Sequence, residues 1–505
     1  MKKIILFLSA FFIATLLFAS SLPGSEKVYI SNYENVLGTS LELKIFAVSN
    51  TAAQAGEKAA LAEIDRLDLI LSGYRANSEF NRWMSGPSVP TYVSPALYEV
   101  LDLFEQWKLK SNGALDPAAA VVGNLWKSAG VNGQVPSNSA IASAVEMLRH
   151  QHYVLNPKNR TALRIDKAAL VLNSFTKSYI MNKAVAIAMK TPGITGLVLN
   201  IGGDLVLKGN RSENIQISNP RADAENDVPI TEIKLTNRAI ATSGNYRRGE
   251  NIQNHWYSHI VDPRTGLPSE EVINSTVIAS NPTDAGALAT IFSVLHPAES
   301  QELAKKIPGI DYLIITRDGR QIESTGWKNL VVPVAIKAVS QVKANTAVSW
   351  DPNFELLISL QLPEKEGERV HRPYVAVWII NSKNEPVRSI ALWYNKTRYL
   401  DEMHAWYATY YQQFSDPSST LGSTTSATRA AGNYSLKWNG KDDKGGYVSP
   451  GKYTICIEAA RQHGSYQLIK REMTFDGKPA TVLLEGNEEI KSASLVYRRK
   501  VENGR

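Results

Sequence analysis

The sequence predicts an α+β fold followed by an all-β, Ig-like sandwich. Three observations predict it. Through the first two-thirds of the chain, stretches with helical hydrophobic spacing alternate with short strand-like runs and glycine turns. Beyond about residue 350 the helical periods fade, and short aromatic and β-branched runs recur between turn residues. At 505 residues the chain exceeds what one ordinary core organises, so more than one domain is expected.

Composition narrows the class. An apolar fraction of 44% and a charged fraction of 20% are those of a folded globular protein. The net charge is +7, yet no dense Lys/Arg run with interleaved aromatics occurs, which argues against nucleic acid as a partner. Met1-Lys2-Lys3, the apolar run Ile4 to Phe18 and the small residues Ala19-Ser20-Ser21 read as a signal peptide over 1–21. Export to the periplasm follows, and no Cys near the cleavage point supports a lipid anchor. The single Cys456 cannot close an internal disulfide and reads as a small buried hydrophobe in a strand.

The elements follow in order. Val28 to Ile30 and Leu37 to Ala47 alternate as a strand pair. Ala52 to Leu71 is an amphipathic helix, with Ala59, Ala62, Ile64, Leu67 and Ile70 near helical spacing, and Ser72 to Glu79 closes it. Ser94 to Ser111 is a second helix, ended by Gly113-Ala-Leu-Asp-Pro117. Leu163 to Asp166 and Ala169 to Leu172 read as short strands, and Asn173-Ser-Phe-Thr-Lys-Ser-Tyr179 opens a helix reaching about Met189. Gly196 to Gly209 is a hairpin turning at Gly202-Gly203; Asn214 to Ser218 and Ile230 to Thr236 add strands around the polar loop Asn219 to Asp227. Val277 to Leu295 is a strand and then a capped helix, and Trp327 to Ala347 is the joint to the sandwich.

The chemistry concentrates in Ala241-Thr-Ser-Gly-Asn-Tyr-Arg-Arg-Gly249 and His255-Trp-Tyr-Ser-His-Ile-Val-Asp-Pro-Arg-Thr-Gly-Leu-Pro268. Thr242, Ser243, Gly244 and Asn245 let backbone approach a ligand closely. Arg247 and Arg248 carry guanidinium forks suited to phosphate oxygens. His259 is a candidate general base, three residues before Asp262; ion-pair networks in loops also generate such pairs. Free N–H groups at the helix opened by Asn173 to Tyr179 suit an anion, with Lys177 in reach of a phosphate.

Ser-Gly-Asn-Tyr-Arg-Arg followed by His-Ile-Val-Asp-Pro-Arg-Thr-Gly-Leu-Pro resembles the signature of the FAD:protein FMN transferases, the ApbE family, and the resemblance covers roughly residues 28–330. It implies a transferase domain over 28–335 that splits FAD and attaches FMN to a Thr or Ser of an acceptor protein, releasing AMP, with Mg²⁺ at the pyrophosphate. The resemblance makes His259 and Asp262 catalytic. It places Leu37, Tyr74, Ala114, Leu115, Asp116, Lys177, Gly203, Asp204, Ser243, Gly244, Arg247 and Ile260 against FAD. Tyr74 would stack on the isoalloxazine, or pack at a helix end. Asp116 would accept from the flavin ring, or cap the next helix. The metal would take the Ser174 carbonyl, Thr290 and an acidic residue. The family's Asp position is Gly286 here, so Asp284 is a substitute that requires a remodelled helix start, or simply an N-terminal charge on the helix dipole. The acceptor implied is a membrane-associated redox protein.

In the C-terminal half, Phe354–Leu362, Tyr374–Ile380, Ile390–Tyr394, Tyr434–Trp438, Lys452–Glu458 and Tyr466–Ile469 read as strands of a sandwich over 350–500. The stretch resembles a periplasmic domain of unknown function. His404, Arg461 and His463 could mark a site, and Thr428 sits in a Ser-Ala-Thr that could accept flavin. Rival readings of the whole chain are an FAD-binding protein without turnover, an FAD pyrophosphatase, and a scaffold for a redox partner.

Overall fold

Period-two alternation builds the N-terminal sheet. Leu197 and Leu199 join one core and Val198 the other, because successive strand side chains point to opposite faces. The computed structural model describes residues 26–245, 248–333, 349–364, 372–394, 397–414, 425–426, 428–461 and 464–500. The expected signal peptide at 1–21, Arg247, His463 and most of the joint lie outside those residues.

The chain runs β1 (Lys27–Val36), β2 (Thr39–Ala47), α1 (Asn50–Leu71), α2 (Glu79–Ser85), β3 (Thr91–Tyr92), α3 (Pro95–Lys110), α4 (Ala120–Asn132), α5 (Asn138–Arg149), β4 (Tyr153–Asn156), β5 (Thr161–Arg164) and α6 (Thr176–Ala188). It continues through β6 (Ile194–Ile201), β7 (Asp204–Lys208), β8 (Ser212–Ile217), β9 (Thr231–Thr236), β10 (Ala239–Gly244), β11 (Gly249–Ile252), β12 (His255–Ser258), β13 (Val261–Asp262), β14 (Leu267–Pro268) and β15 (Val272–Ala279). Then come α7 (Pro282–Val294), α8 (Pro297–Lys305), β16 (Asp311–Thr316) and β17 (Gln321–Glu323).

An eight-stranded sheet orders β1-β2-β6-β7-β10-β15-β16-β17, antiparallel throughout. One face packs α1, α6 and α7 through Leu41, Leu43, Ile64, Leu67, Val185 and Leu288. The β8–β9 ribbon and Trp327 cover the other through Ile215, Ile233, Leu235 and Ile278. The stretch Ala169–Leu172, expected as a strand, is irregular; Val171 N–H donates instead to the Pro117 carbonyl at 2.8 Å. β5 pairs with β3 on one side and β4 on the other, neither of which the sequence reading marked.

The C-terminal region adds β18 (Phe354–Leu362), β19 (Tyr374–Asn381), β20 (Pro386–Trp393), α9 (His404–Phe414), β21 (Thr425–Ser426), β22 (Gly432–Trp438), β23 (Gly451–Ala460), β24 (Tyr466–Phe475), β25 (Ala480–Glu485) and β26 (Ser492–Arg499). Two sheets, β22-β18-β26-β25 and β21-β20-β19-β23-β24, enclose Leu356, Ile358, Val375, Val377 and Ile457. Cys456 is buried on the outer face of the second sheet, and burial pushes its thiol up to about 12. That face is covered by α9, which the sequence reading missed. Its aromatics suit strands as well as helices, and a tertiary contact decides. The buried Glu458 carboxylate accepts from Ala405 N–H at 2.8 Å and Trp406 N–H at 2.7 Å, anchoring the helix start.

Two loops of the N-terminal region meet this sandwich. In the loop Asn219–Asp227, Glu225 N–H donates to Ser435 O at 2.9 Å, and Lys437 N–H to Asn226 Oδ1 at 2.8 Å. Lys437 pairs with Asp223, and with Asp227 at 2.9 Å and Glu355 at 3.5 Å; Arg498 reaches Asp223 at 2.5 Å and Glu355 at 2.9 Å. Burial would raise the Asp223 carboxyl, but hydrogen bonds from Lys437 and Arg498 outweigh it and hold it at about 2.

A carboxyl depressed on folding stabilises the fold above its ordinary value of 3.8, and that contribution disappears as the pH falls through about 2. Denaturant unfolding across this window should show the wild type losing stability more steeply than Asp223→Asn. Parallel curves would refute the assignment.

Candidate active site

Several expected residues meet at one end of the eight-stranded sheet. The β6–β7 turn holds Gly202 and Gly203 at φ 58° and 93°, conformations glycine adopts without strain. A Cβ at Gly203 would touch nothing, so the backbone there is open to an approaching group. Gly202 N–H donates to Ser40 O at 3.1 Å, which sets the Leu37-Gly38 turn beside it. Asp204 follows, 7% exposed. Its carboxylate pairs with Lys177 Nζ at 2.8 Å, and accepts from Thr242 N–H at 3.3 Å and Ser178 Oγ at 3.4 Å. Helix α6 therefore starts against β7 and β10. No side chain caps its N-terminus at Phe175. Tyr74 is 86% exposed and accepts from Asn173 Nδ2 at 3.1 Å, so it stands over the same segment.

Ser243 and Gly244 end β10 opposite Ser275 and Asn274. Ser293 Oγ on α7 donates to Ser243 O at 3.4 Å. The Asn245 side chain donates to Ser269 O at 3.0 Å and Val272 O at 2.8 Å, pinning the chain where it leaves the sheet. On the far side of Tyr246 and Arg247, the Arg248 carbonyl accepts from His259 N–H at 3.2 Å and from His259 Nδ1 at 3.0 Å. A carbonyl only accepts, so Nδ1 carries the ring proton and Nε2 the lone pair. His259 is solvent-exposed as a residue, yet its ring is packed closely enough that burial, aided by the Arg248 charge, lowers its pKa below 6.5. The ring is neutral, and basic at Nε2, at neutral pH.

Asp262 does not join it. The sequence reading coupled Asp262 to His259. The structure couples it to Arg264, whose fork approaches at 3.0 and 2.8 Å and whose N–H donates at 2.9 Å. Arg264 continues to Glu299 at 2.8 Å. Asp262 thus fixes the turn to Gly266, which in turn accepts from Trp126 Nε1 at 2.9 Å. Ile260 is tied into the same loop through its carbonyl, which accepts from Ser269 N–H at 2.8 Å. A Cβ on Gly113 would meet the Arg264 side chain at 3.6 Å, which brings Ala114, Leu115 and Asp116 alongside. Ala114 and Leu115 are buried core residues, leaving their backbone as the part a ligand could meet. Asp116 makes the expected capping bond: Oδ1 accepts from Ala118 N–H at 2.7 Å, and Oδ2 pairs with Lys108 at 2.5 Å.

The residues assigned to a metal are only partly assembled. Thr290 Oγ1 lies 3.2 Å from the Ser174 carbonyl and 3.3 Å from that of Gly286. Asp284 lies six residues before Thr290, roughly 9 Å along the axis and on a different face of α7. Its carboxyl is raised by burial, which outweighs the opposing charge of Lys110 at the end of α3. The residue facing Thr290 one turn back is Gly286, where a Cβ would run into Ser178 Oγ at 2.3 Å. Ser178 occupies the space an acidic side chain there would need. Among the described residues no group of three or more His, Cys, Asp or Glu is placed to hold an ion.

Sequence reasoning quoted Thr242 and Ser178 within their motifs but not their bonds to Asp204, and it missed Ser293, which nothing in the spacing signals. It did quote Arg264 within the motif, but without the role the structure gives it. Two open clefts lie outside the cluster. One of about 440 Å³ runs along Trp83 and Tyr92; one of about 420 Å³ lies between α5 and the turn of Thr265 and Leu267. Of the residues proposed for the C-terminal half, Arg461 is buried against Glu489 at 2.8 Å, and His404 packs its ring on Tyr466.

The ApbE family model matches residues 37–314, and that of the "Predicted periplasmic protein (DUF2271)" family matches residues 355–492. The FAD:protein FMN transferase of Klebsiella pneumoniae is 28% identical over 309 residues, covering 59% of this chain and 85% of its own length. That of Treponema pallidum is 27% identical over 320 residues, covering 59% and 87%. Among solved structures, the ApbE protein of Thermotoga maritima aligns with a TM-score of 0.53 at 25% identity, over 60% of this chain and 99% of that one. The apo flavinyl transferase ApbE of Pseudomonas stutzeri shares the fold, with a TM-score of 0.51 at 22% identity, over 61% and 98%.

The Ser178–Gly286 contact is testable. Gly286→Asp should lower the unfolding free energy by about 1–3 kcal/mol through overpacking, and adding Ser178→Gly should recover part of the loss. Denaturant unfolding of the three proteins decides. An unchanged Gly286→Asp protein would show that Ser178 does not fill that position.

Proposed function

Because this chain belongs to the ApbE family, we propose that it transfers FMN from FAD to a Thr or Ser hydroxyl of another protein and releases AMP. The observation that carries this reading is the tautomer of His259: Nδ1 is committed to the Arg248 carbonyl, and Nε2 is left as a base. In the proposed step, Nε2 takes the proton of the acceptor hydroxyl. The acceptor oxygen bonds to the FMN phosphorus, the bond to the bridging oxygen breaks, and AMP leaves with that oxygen. Such transfer depends chiefly on positioning and charge neutralisation. Lys177 and the uncapped start of α6 supply positive potential for the pyrophosphate. Arg247, outside the described residues, would add a fork to the same anion. Leu37, Tyr74, the backbone of Ala114 and Leu115, Asp116, Gly203, Asp204, Ser243, Gly244 and Ile260 would bound the flavin and its phosphates. Asp262 serves through Arg264, by holding the loop that carries His259.

The residues present do not make the Mg²⁺ site the resemblance implies. Ser174 and Thr290 offer two neutral oxygens, and Asp284 stands away from them. Mg²⁺ commonly binds through one or two carboxylates together with substrate phosphates, so no step here is routed through a metal. Export to the periplasm is supported by the family match of residues 355–492 and by the basic, apolar and small-residue sequence of 1–21. Among the described residues no helix is long and apolar enough to cross a membrane. The acceptor we propose is a membrane-associated redox protein exposed to that compartment.

Purified protein incubated with FAD, Mg²⁺ and a candidate acceptor should add one FMN mass to the acceptor and release AMP. AMP release without an adduct would indicate hydrolysis, and neither product would reject transfer under those conditions. His259→Gln should lower the transfer rate by about 10²–10⁴-fold. The base must be unprotonated, so activity should fall on acidification with a midpoint below 6.5, and His259→Gln should lose that limb.

A further inference from the structure

The turn that carries Leu37 is held by residues more than three hundred positions away. Asn35, Leu37 and Gly38 have φ of 57°, 50° and 77°, and the β1–β2 register slips between Tyr33 and Val36. Glycine adopts such a backbone freely and asparagine at little cost, whereas at Leu37 the two-residue turn between paired strands requires it. The strand end that leads into this turn is held by the C-terminal region. Glu34 Oε1 accepts from the Thr428 hydroxyl, and Oε2 from Arg372 N–H at 3.4 Å, with Arg372 Nε at 3.7 Å. The same guanidinium donates to Asn35 Oδ1 at 2.7 Å. Thr428 is 1% exposed, and the Arg372 and Glu34 side chains 17% and 15%, so water competes weakly for the bonds to Glu34, while the one to Asn35 is exposed. Beyond Gly38, a Cβ on Gly202 would strike the Thr39 side chain at 2.8 Å, so a displaced turn would press on the one leading to Asp204.

We propose that the C-terminal region sets the shape of the flavin-facing turn, with Thr428 and Arg372 as positioning residues acting through Glu34 and Asn35 on Leu37. This rests on the flavin-transfer reading, since Leu37 faces FAD only there. Thr428 then cannot double as an internal FMN acceptor, because its hydroxyl is buried and committed to Glu34.

The test uses the full chain carrying Thr428→Val, which keeps shape and removes the donor, and Thr428→Ser, which restores it. FAD is titrated by flavin fluorescence, and kcat and KM for FAD are measured with one acceptor. If Thr428→Val leaves about a fifth of molecules with a competent turn, Kd and KM for FAD rise about fivefold while kcat stays within about twofold, and Thr428→Ser matches the wild type. Arg372→Met carries the same readout if circular dichroism shows that Thr428→Val does not fold. FAD binding unchanged in the variants, a fall in kcat without a change in KM, or an FMN adduct on Thr428 would each overturn the proposal. Wild-type protein that binds FAD but transfers nothing would sink the transferase reading alone, because the Kd comparison still decides this one. Wild-type protein that binds no FAD would sink both.

Discussion

The Lys177–Asp204 ion pair is the contact on which the arrangement of the site depends. A cation in the first turn of a helix opposes the helix dipole, at a cost of about 0.3–1 kcal/mol. A partly buried ion pair attracts by about 4 kcal/mol before desolvation, so Asp204 decides where the start of α6 sits. The aspartate can do this because Gly202-Gly203 turns β6 into β7 at the edge of the helix layer, and because the Thr242 N–H on β10 holds its second oxygen. One carboxylate therefore registers a helix against two strands. The paired ammonium also offsets the repulsion that the carboxylate would exert on an anion.

What the sequence made legible follows from local physics. The turns at Gly202-Gly203 and Asp262 to Gly266 were readable because special backbone needs special residues. Strands such as β2, β6, β18 and β19 were readable from alternation and aromatic runs, while β4, β16, β25 and β26 went unmarked. Three further features were not legible. Asp262 was coupled to the wrong side chain because spacing cannot rank partners: His259 is three residues away and Arg264 two, and only the fold turns the Arg264 fork onto the carboxylate. Helix α9 was hidden because its start is anchored by Glu458, about fifty residues on. The strand expected at Ala169–Leu172 was apolar enough, but its Val171 N–H is taken by the Pro117 carbonyl instead of a ladder partner.

The Gly286 position shows a different limit. A single sequence reveals that an acidic residue is missing from α7, but not what fills the space. The antiparallel packing of α6 and α7 brings Asn182 to Asn281, Ser178 to Gly286 and Ser174 to Thr290. In that register Asp284 is level with the middle of α6, away from the end where Ser174 offers its carbonyl. The shortage of protein carboxylate at Thr290 is thus a property of two helices packed together, and Ser178 matters to it as much as Gly286 does.

The same reasoning explains why the sandwich and the transferase region meet where they do. Thr428 and Arg429 are adjacent, yet one reaches Glu34 on the β1–β2 turn and the other reaches Glu225 on the Asn219–Asp227 loop at 3.0 Å. Two neighbouring residues thus tie down two loops that are far apart in sequence. The loop at Glu225 is also carried by backbone pairing along β22 and by Lys437, so losing one contact there leaves others. The turn at Glu34 has fewer supports and a more demanding backbone, because Leu37 is left-handed without being glycine. Of the two attachments, the one nearer the residues proposed to face flavin is therefore the one whose geometry depends most on the sandwich. On that proposal the C-terminal region belongs to the site rather than standing beside it.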